Sequence, residues 1–175
     1  MARAPGLIAL AAAALLAGCA RAPAPPPAAP VVEGPALLLL APRRATLVPI
    51  QQAGERRLWR GEEGIALATD GPRVVGTAGL GQMLTASRFE GPDPLADPRA
   101  LLAAPASVRR LGDLAGADRE PEAMRFGVLL DCTLRARPDA GWLLVEETCT
   151  GPGFAATNRF WAPEGGGPVA RSEQW

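Results

Sequence analysis

The chain has 175 residues, 48% of them hydrophobic, which is enough for one domain with a sizeable core. Its formal net charge is zero, so nothing indicates binding to nucleic acid. It contains no His, which excludes Ser-His-Asp and Cys-His catalytic sites and histidine metal ligands. No other pattern indicates a metal or a cofactor.

The N-terminus has the layout of a bacterial lipoprotein signal. Arg3 precedes an apolar run over residues 7–17, which is too short to span a bilayer as a helix, and the run closes with Gly18 and Cys19. Residues 1–18 are therefore predicted to be a signal peptide, and Cys19 to be acylated and held in the bilayer. The alternative is an ordinary signal peptide with a chance cysteine. Ala20, where an Asp would retain the protein in the inner membrane, predicts sorting to the outer membrane with the domain in the periplasm.

A Pro/Ala-rich stretch follows the predicted anchor. Residues 19–35 read as an acylated cysteine and an extended, semi-rigid tether. The sequence predicts a single domain over residues 36–175.

Short strands with turn signals begin the domain. Residues 45–50 predict a strand whose Pro49 confines its end to a sheet edge. Residues 65–69 and 73–77 predict a hairpin around Asp-Gly-Pro, whose proline argues against the tightest two-residue loop.

Prolines exclude a long helix from residues 89–122. Residues 101–104 and 108–114 predict short helical turns, and a mobile flap is the alternative for the whole stretch. The apolar residues expected beneath the sheet are Leu95, Leu101, Leu102, Val108 and Leu111.

The clearest hairpin signal lies between the last two cysteines. Residues 126–134 alternate apolar and polar, 137–141 have turn chemistry, and 142–149 return. A two-residue loop at Ala140-Gly141 places Cys132 opposite Cys149, which predicts a disulfide in an oxidising compartment. Two buried thiols are the alternative. The same register places Leu134 opposite Glu147 on the apolar face, so a bulge in the return strand is expected.

Two more strands, 155–161 and 169–175, are predicted around the turn residues 163–168. The succession of short strands and turns predicts an all-β, antiparallel sandwich or barrel-like domain built from hairpins.

Few residues suggest catalysis. A glycan-acting enzyme needs two carboxylates that flank the bond, but the spacing of Asp93, Asp97, Glu146 and Glu147 singles out no pair. The adjacent Glu146 and Glu147 point to opposite faces of a strand. The glycine-rich residues 76–81 lack the Lys-Ser/Thr ending of a phosphate loop. No catalytic residue is therefore predicted.

Tryptophans are the more interesting candidates, because the apolar face of a sugar ring stacks on an indole. Packing is the commoner role for tryptophan in a small β domain and is favoured here. The set is Trp59, Trp142, Trp161 and Trp175. Near the last two, Arg159 and Arg171 are candidates for contact with an acidic glycan or a partner, or are solvent-facing strand arginines.

Taken in order, several segments resemble the YjbF/GfcB family of group 4 capsule polysaccharide lipoproteins. They are the lipobox, Trp59, residues 64–67, 73–77 and 78–81, the two-cysteine hairpin, Asn158-Arg159-Phe160-Trp161 and the ending Arg171-Ser172-Glu173-Gln174-Trp175. The resemblance covers residues 44–175. Ala78 stands where a basic residue is usual, and Gln82-Met83 replaces an acidic pair.

The resemblance implies a β-rich outer-membrane lipoprotein that assists assembly or export of a capsule or exopolysaccharide without catalysis. Its partners would be polysaccharide export proteins or the polysaccharide itself. Two rivals remain: a periplasmic glycan-modifying enzyme that uses carboxylates alone, and a purely structural lipoprotein of an export channel.

Overall fold

The computed structural model describes residues 35–40, 44–116 and 120–175, except for the side chain of Phe154. The predicted signal peptide, Cys19 and nearly all of the predicted tether lie outside these residues. Antiparallel strands make up most of the described chain, which confirms the all-β prediction. The strands are β1 (Leu37–Leu39), β2 (Ala45–Ala53), β3 (Arg56–Arg60), β4 (Ala66–Asp70), β5 (Arg73–Ala78), β6 (Gln82–Glu90), β7 (Ala106–Gly116), β8 (Arg125–Asp139), β9 (Trp142–Gly151), β10 (Phe154–Pro163) and β11 (Arg171–Glu173).

The strands form two sheets in which neighbours in space are neighbours in sequence. One sheet has the order β1-β2-β3-β4-β5 and the other has the order β11-β10-β9-β8-β7-β6. Such meanders need only short hairpin connections, which agrees with the turn residues between the apolar runs. In the part of the chain that the structure describes, helix is limited to α1 (Ala100–Ala103) and two 3-10 turns, Pro94–Ala96 and Pro121–Ala123. Within the described residues, none of the helices could cross a bilayer.

Each sheet has its own apolar core. In the five-stranded sheet, the buried residues are Leu47, Trp59, Ile65 and Leu67. In the six-stranded sheet, the buried residues are Leu95, Leu101, Val108, Cys132, Leu134, Val145, Cys149 and Phe160. Leu95 and Leu101 lie on the proline-rich connection between β6 and β7, so this connection closes the core as predicted. Leu102 is exposed, and Leu111 is half-buried on the outer face of β7, so the same prediction is wrong for these two residues.

The β8–β9 hairpin has the predicted register. Its two-residue loop is Ala140-Gly141, both residues have positive φ (49° and 86°), and Cys132 pairs with Cys149. Positive φ at both positions is typical of a type I′ turn, whose twist matches that of the strands. The two sulfurs form the expected disulfide, with a Cα–Cα distance of 4.0 Å. The expected bulge in the return strand is absent, because the ladder runs without a shift from Asp139 to Asp131.

The helical turn predicted at residues 108–114 is wrong, since this segment is strand β7. Val108, Arg110 and Gly112 are buried, while Arg109 and Leu111 lie on the other face. This is the period-two alternation of a strand. The sequence conceals it because the buried face carries an arginine and the outer face a leucine.

Two smaller predictions near turns also need correction. β4 and β5 are joined by the tight loop Gly71-Pro72, although proline was expected to prevent it. Gly71 has φ 54°, and proline fixes φ near −65°, so this order suits the two central positions of a type II′ turn. Phe126, the first apolar residue of the alternating segment 126–134, is expected on the apolar face of that strand, but it is exposed at the start of β8.

The two sheets meet where β5 leads into β6. The backbone N–H of Leu84 donates to Thr77 Oγ1 at 2.8 Å. In the connection, Gly79 has φ 75°, and a Cβ atom there would lie 2.5 Å from the carbonyl oxygen of Gly64. Only glycine permits this close approach, so residues 78–81 serve as the corner between the sheets.

Candidate functional site

Four residues that the sequence singled out lie at the β10–β11 edge of the six-stranded sheet. In the register of this hairpin Trp161 pairs with Arg171, and Arg159 pairs with Glu173. Alternate residues of a strand share a face, and these lie on the face opposite the buried Phe160. Trp175 is two positions beyond Glu173 and is 73% exposed. We call Arg159, Trp161, Arg171 and Trp175 the edge cluster.

Within the edge cluster, the Trp161 indole is fixed in orientation. Its Nε1 donates to Asp139 Oδ2 at 3.0 Å, and the Arg171 guanidinium carbon lies 4.4 Å from the ring centre. A cation at this distance over an indole makes a cation–π contact. On the neighbouring strand β9, the residue paired with Trp161 is the buried Leu144.

The other tryptophans divide between packing and exposure. Trp59 is buried in the five-stranded sheet, and its Nε1 donates to Thr69 Oγ1 at 3.0 Å, so packing is its role. Trp142 begins β9 opposite Pro163 and is 42% exposed. In this register Trp142 is the diagonal neighbour of Trp161 on the same face, so the outer face presents more than one indole.

The arginines of the edge cluster sit in exposed ion pairs. Arg159 Nε lies 3.3 Å from Glu146 Oε1, and Arg159 Nη1 lies 3.8 Å from Glu173 Oε2. Arg171 donates to Glu173 as well. Exposed pairs contribute roughly 0–1 kcal/mol each. An anionic or hydroxyl-rich ligand can therefore compete for these guanidinium groups at low cost.

A shallow groove of about 520 Å³ lies along β6, β7 and β8. Its charged lining is Glu90, Arg109 and Asp131, with Arg109 3.5 Å from Glu90 and 3.7 Å from Asp131. Thr133 and Ser107 supply hydroxyl groups. The groove is polar and open, which suits a hydrated ligand better than an apolar one.

On the opposite, buried side of the sheet, a charged cluster joins the two sheets. Arg73, from β5, is 2% exposed, and its Nη1 donates to Glu147 Oε1 on β9 at 2.9 Å. Its Nε and Nη2 donate to the Asp93 carboxylate, with Nη2 2.7 Å from Oδ1. The guanidinium carbon lies 4.3 Å from the Phe89 ring centre and 5.2 Å from that of Phe160.

The cluster extends to the C-terminal residues. Asn158 Nδ2 donates to Glu147 Oε2 at 2.8 Å, and Asn158 Oδ1 accepts from the backbone N–H of Trp175 at 2.9 Å. Gln174 Nε2 donates to the carbonyl oxygen of Pro72 at 2.7 Å. A buried polar group is tolerated when its hydrogen bonds are made, and these contacts satisfy the cluster.

Arg110 is a second buried cation beside this cluster. Its Nε donates to Ser87 Oγ at 2.6 Å and its Nη2 to the carbonyl oxygen of Val74 at 2.9 Å. Burial lowers the pKa of the Arg110 guanidinium, while the nearby Glu147 carboxylate opposes this effect. The Ser87 hydroxyl group is therefore bound by a buried arginine and has a structural role.

The four acidic candidates do not form an open pair. Asp93 and Glu147 converge on Arg73, but Glu147 is 0% exposed, so a polymer cannot reach its carboxylate. Asp97 Oδ1 accepts from the backbone N–H groups of Arg99 and Ala100 before α1. Glu146 lies on the outer face, opposite in direction to Glu147 as predicted.

One group of potential metal ligands is found among the described residues. Cys132 Sγ, Cys149 Sγ and a Glu147 carboxylate oxygen lie within 4.8 Å of one another. The sulfurs are joined in a disulfide and Glu147 is bound by Arg73 and Asn158. Thiolate ligands are therefore not present in this arrangement.

Sequence reasoning missed the buried charged cluster. Glu147 was expected to require a bulge, Asp93 was assigned to no pair of acids, and Arg73 and Gln174 were named only as parts of motifs. The motif segments 73–77, 158–161 and 171–175 in fact meet at this cluster. One signal was available: an acid on the apolar face of a clear strand indicates that a buried cation lies elsewhere in the chain.

Comparisons with known proteins agree with this architecture. The hypothetical lipoprotein YmcC of Escherichia coli K12 matches with a TM-score of 0.57 and 22% identity, over 75% of this chain and 73% of that chain. At that identity the match supports the fold alone. No curated protein matches the chain.

A family model described as group 4 capsule polysaccharide lipoprotein gfcB, YjbF, matches residues 34–175. The match includes every strand of both sheets and all residues of the buried cluster and the edge cluster. The resemblance seen in the ordered motifs is thereby confirmed, and the chain belongs to the YjbF family of group 4 capsule polysaccharide lipoproteins.

Proposed function

We propose that this protein is a non-enzymatic accessory of capsule or exopolysaccharide assembly and export, and that it holds the polymer on its edge cluster. Family membership supports a role in the production of capsule or exopolysaccharide. The observation that carries the binding role is the grouping of Trp161, Arg171, Arg159 and Trp175 on one exposed face.

The chemistry of this face suits a sugar polymer. An indole offers an apolar plane for the C–H face of a pyranose ring, and guanidinium groups donate to hydroxyl or carboxylate oxygens. Trp161 is already oriented by Asp139 and Arg171, so binding would cost little side-chain ordering. A transient hold of this kind is what an assembly factor requires.

The placement of the acids and the composition support a non-catalytic role. The paired acids Asp93 and Glu147 are occupied by Arg73, and the chain has no His to act as a general base. The rival enzyme needs two reachable carboxylates, roughly 5–10 Å apart. Hydrolysis of the purified polymer by the protein, lost on mutation of a surface acid pair, would overturn this part of the proposal.

The binding experiment uses the purified chain and the exopolysaccharide of its own host. Trp161→Ala and Arg171→Ala should each weaken binding about tenfold, which corresponds to about 1.4 kcal/mol. Phe126→Ala is the control, because Phe126 is an exposed aromatic residue that lies outside the edge cluster, at the start of β8. Binding that both edge variants leave unchanged contradicts the proposal, as does unaltered surface polysaccharide after deletion of the gene.

A partner protein of the export apparatus is the second candidate for the same face. Exposed tryptophan and arginine side chains are enriched at protein interfaces, and Trp142 adds a third indole nearby. Affinity capture distinguishes the two. Recovery of a channel protein without sugar, abolished by Trp161→Ala, favours a scaffold, whereas recovery of polymer favours glycan binding.

The proposed location is the periplasmic face of the outer membrane, through acylated Cys19. The basis is the lipobox and Ala20. Ala20→Asp should move the protein to the inner-membrane fraction, whereas the control Ala20→Ser should leave it in the outer-membrane fraction. If both variants are found in the same membrane fraction, sorting by this residue is contradicted.

A further inference from the structure

Four large apolar side chains are exposed together where the described chain begins. Leu38 and Leu40 in and after β1, and Val48 and Ile50 in β2, are 46–61% exposed. Leu38 pairs with Thr46, so Val48 is its diagonal neighbour on the same face. Ile50 follows at the bulge between Pro49 and Gln51. We call these four residues the apolar edge. A contiguous exposed patch of this kind marks an interaction surface.

Arginines border the apolar edge. Arg60 on β3 pairs directly with Val48 and is exposed, and Arg44 is exposed just before β2. Neither makes an ion pair with a described residue, in contrast to Arg56, which binds Asp70. Apolar side chains flanked by exposed cations are the pattern of surfaces that bind anionic lipid headgroups and the outer acyl region.

The position of the apolar edge in the chain identifies its occupant. Only residues 20–36 separate the predicted lipidated Cys19 from β1. A Pro-rich segment of this length reaches at most about 50 Å. The apolar edge is therefore the part of the domain that is joined most directly to the bilayer. We propose that it lies on the membrane surface and holds the domain against the lipid. This inference rests on the anchoring at Cys19 proposed above.

Unpaired backbone groups limit how deeply the apolar edge can enter the bilayer. β1 covers β2 only up to Leu47, so from Val48 onward one side of β2 has no strand partner among the described residues. Unpaired backbone groups are costly in hydrocarbon, although Pro49 removes one N–H. The edge therefore lies at the headgroup boundary, where water and headgroups satisfy the backbone.

A depth-sensitive label tests the proposal on the acylated, membrane-purified protein. The native thiols are engaged in the disulfide and the proposed lipid anchor, so an introduced cysteine carries a unique thiol. The fluorescence emission of an NBD label on Ile50→Cys should shift to shorter wavelength in vesicles containing phosphatidylglycerol. Doxyl-lipids in these vesicles should quench it. The matched control is Thr148→Cys, exposed on β9, which should show neither effect.

The outcomes separate this inference from the anchor. Protein that floats with vesicles while the label at position 50 stays in water overturns the apolar edge but not the anchor. Protein that does not float at all contradicts both. A blue shift that depends on protein concentration without vesicles assigns the edge to a second copy of the chain and overturns the lipid proposal.

The arginines are tested separately in the same system. Arg44→Glu with Arg60→Glu should reduce doxyl quenching of the label at position 50 several-fold in phosphatidylglycerol vesicles. In the labelled protein that keeps both arginines, added salt should also reduce this quenching. Arg57→Glu is the control, because Arg57 is also in β3. Equal loss in this control overturns a specific role for Arg44 and Arg60.

Discussion

Arg73 and Glu147 form a buried ion pair that joins the two sheets of this protein, with 2.9 Å between Nη1 and Oε1. The residues are 74 positions apart in the chain, and their side chains are 3% and 0% exposed. Two buried charges are tolerable only because each has its partner and further hydrogen bonds. The contact sets the position of β5 relative to β9.

Removing one member of this pair should therefore be costly. Arg73→Met should lower the free energy of unfolding by about 3–5 kcal/mol, because the fully buried Glu147 carboxylate is left without its cation. Glu147→Leu should lower it by less, because Arg73 keeps the Asp93 carboxylate as a partner. The loss of unfolding free energy in the double variant should be much smaller than the sum of the losses in the two single variants. Urea unfolding measures all three. Arg56→Met is the control, since it breaks the exposed pair with Asp70 and should cost at most about 1 kcal/mol. Additive losses in the double variant would show that the charges do not depend on each other.

The side chain of Gln174 should hold the C-terminal residues against the β4–β5 hairpin. Its Nε2 donates to Pro72 O, and its Oε1 accepts from the backbone N–H of Val74 at 3.0 Å. Gln174→Ala should lower the free energy of unfolding by about 1 kcal/mol, because two partly buried backbone groups lose their hydrogen-bond partners. Hydrogen exchange of the Val74 amide should become faster. The neighbouring Glu173→Gln, on the outer face, should leave that amide protected. Unchanged exchange in Gln174→Ala would contradict the role.

The glycine corner between the sheets offers a matched pair of variants. Gly79→Ala should lower the melting temperature, because φ 75° costs an L-residue about 1–2 kcal/mol and the new Cβ would collide with Gly64 O. Gly81→Ala should be neutral or stabilise by about 0.4–1 kcal/mol, since its Cβ meets open space. Thermal unfolding compares them directly. Equal effects of the two changes would mean that the corner is not held at Gly79.

The disulfide should contribute measurably to stability. It spans a sequence separation of 17, for which loop closure predicts about 2–4 kcal/mol. Cys132→Ser should lower the free energy of unfolding by that amount. The double variant Cys132→Ala with Cys149→Ala should lower it by a similar amount, and it introduces no buried hydroxyl group. Reductant should lower the melting temperature of the parent chain but not that of the double variant. A parent chain that melts identically with and without reductant would be inconsistent with the bridge.

Much of the β architecture could be predicted from the sequence because it depends on local signals. The alternation over residues 126–134 and the Ala140-Gly141 loop determined the β8–β9 register and hence the pairing of Cys132 with Cys149. The turn residues around β10 and β11 likewise predicted the hairpin that brings Trp161 beside Arg171. A hairpin needs only its own turn and the period of its strands, and both are written in adjacent residues.

Where a buried side chain is charged, the sequence pattern misled. A helical turn was predicted at residues 108–114 of β7, whose buried face carries Arg110, and Glu147 suggested a bulge that does not exist. Both residues are buried because partners from distant strands supply opposite charge or hydrogen bonds: Arg73 for Glu147, and Ser87 and Val74 O for Arg110. The desolvation cost of a charge is a property of the residue, but its compensation is a property of the assembled fold. The sequence alone thus determined the β4–β5, β8–β9 and β10–β11 hairpins, whereas the tertiary structure decided that residues 106–116 form a strand, which charges the core contains and how they join the two sheets.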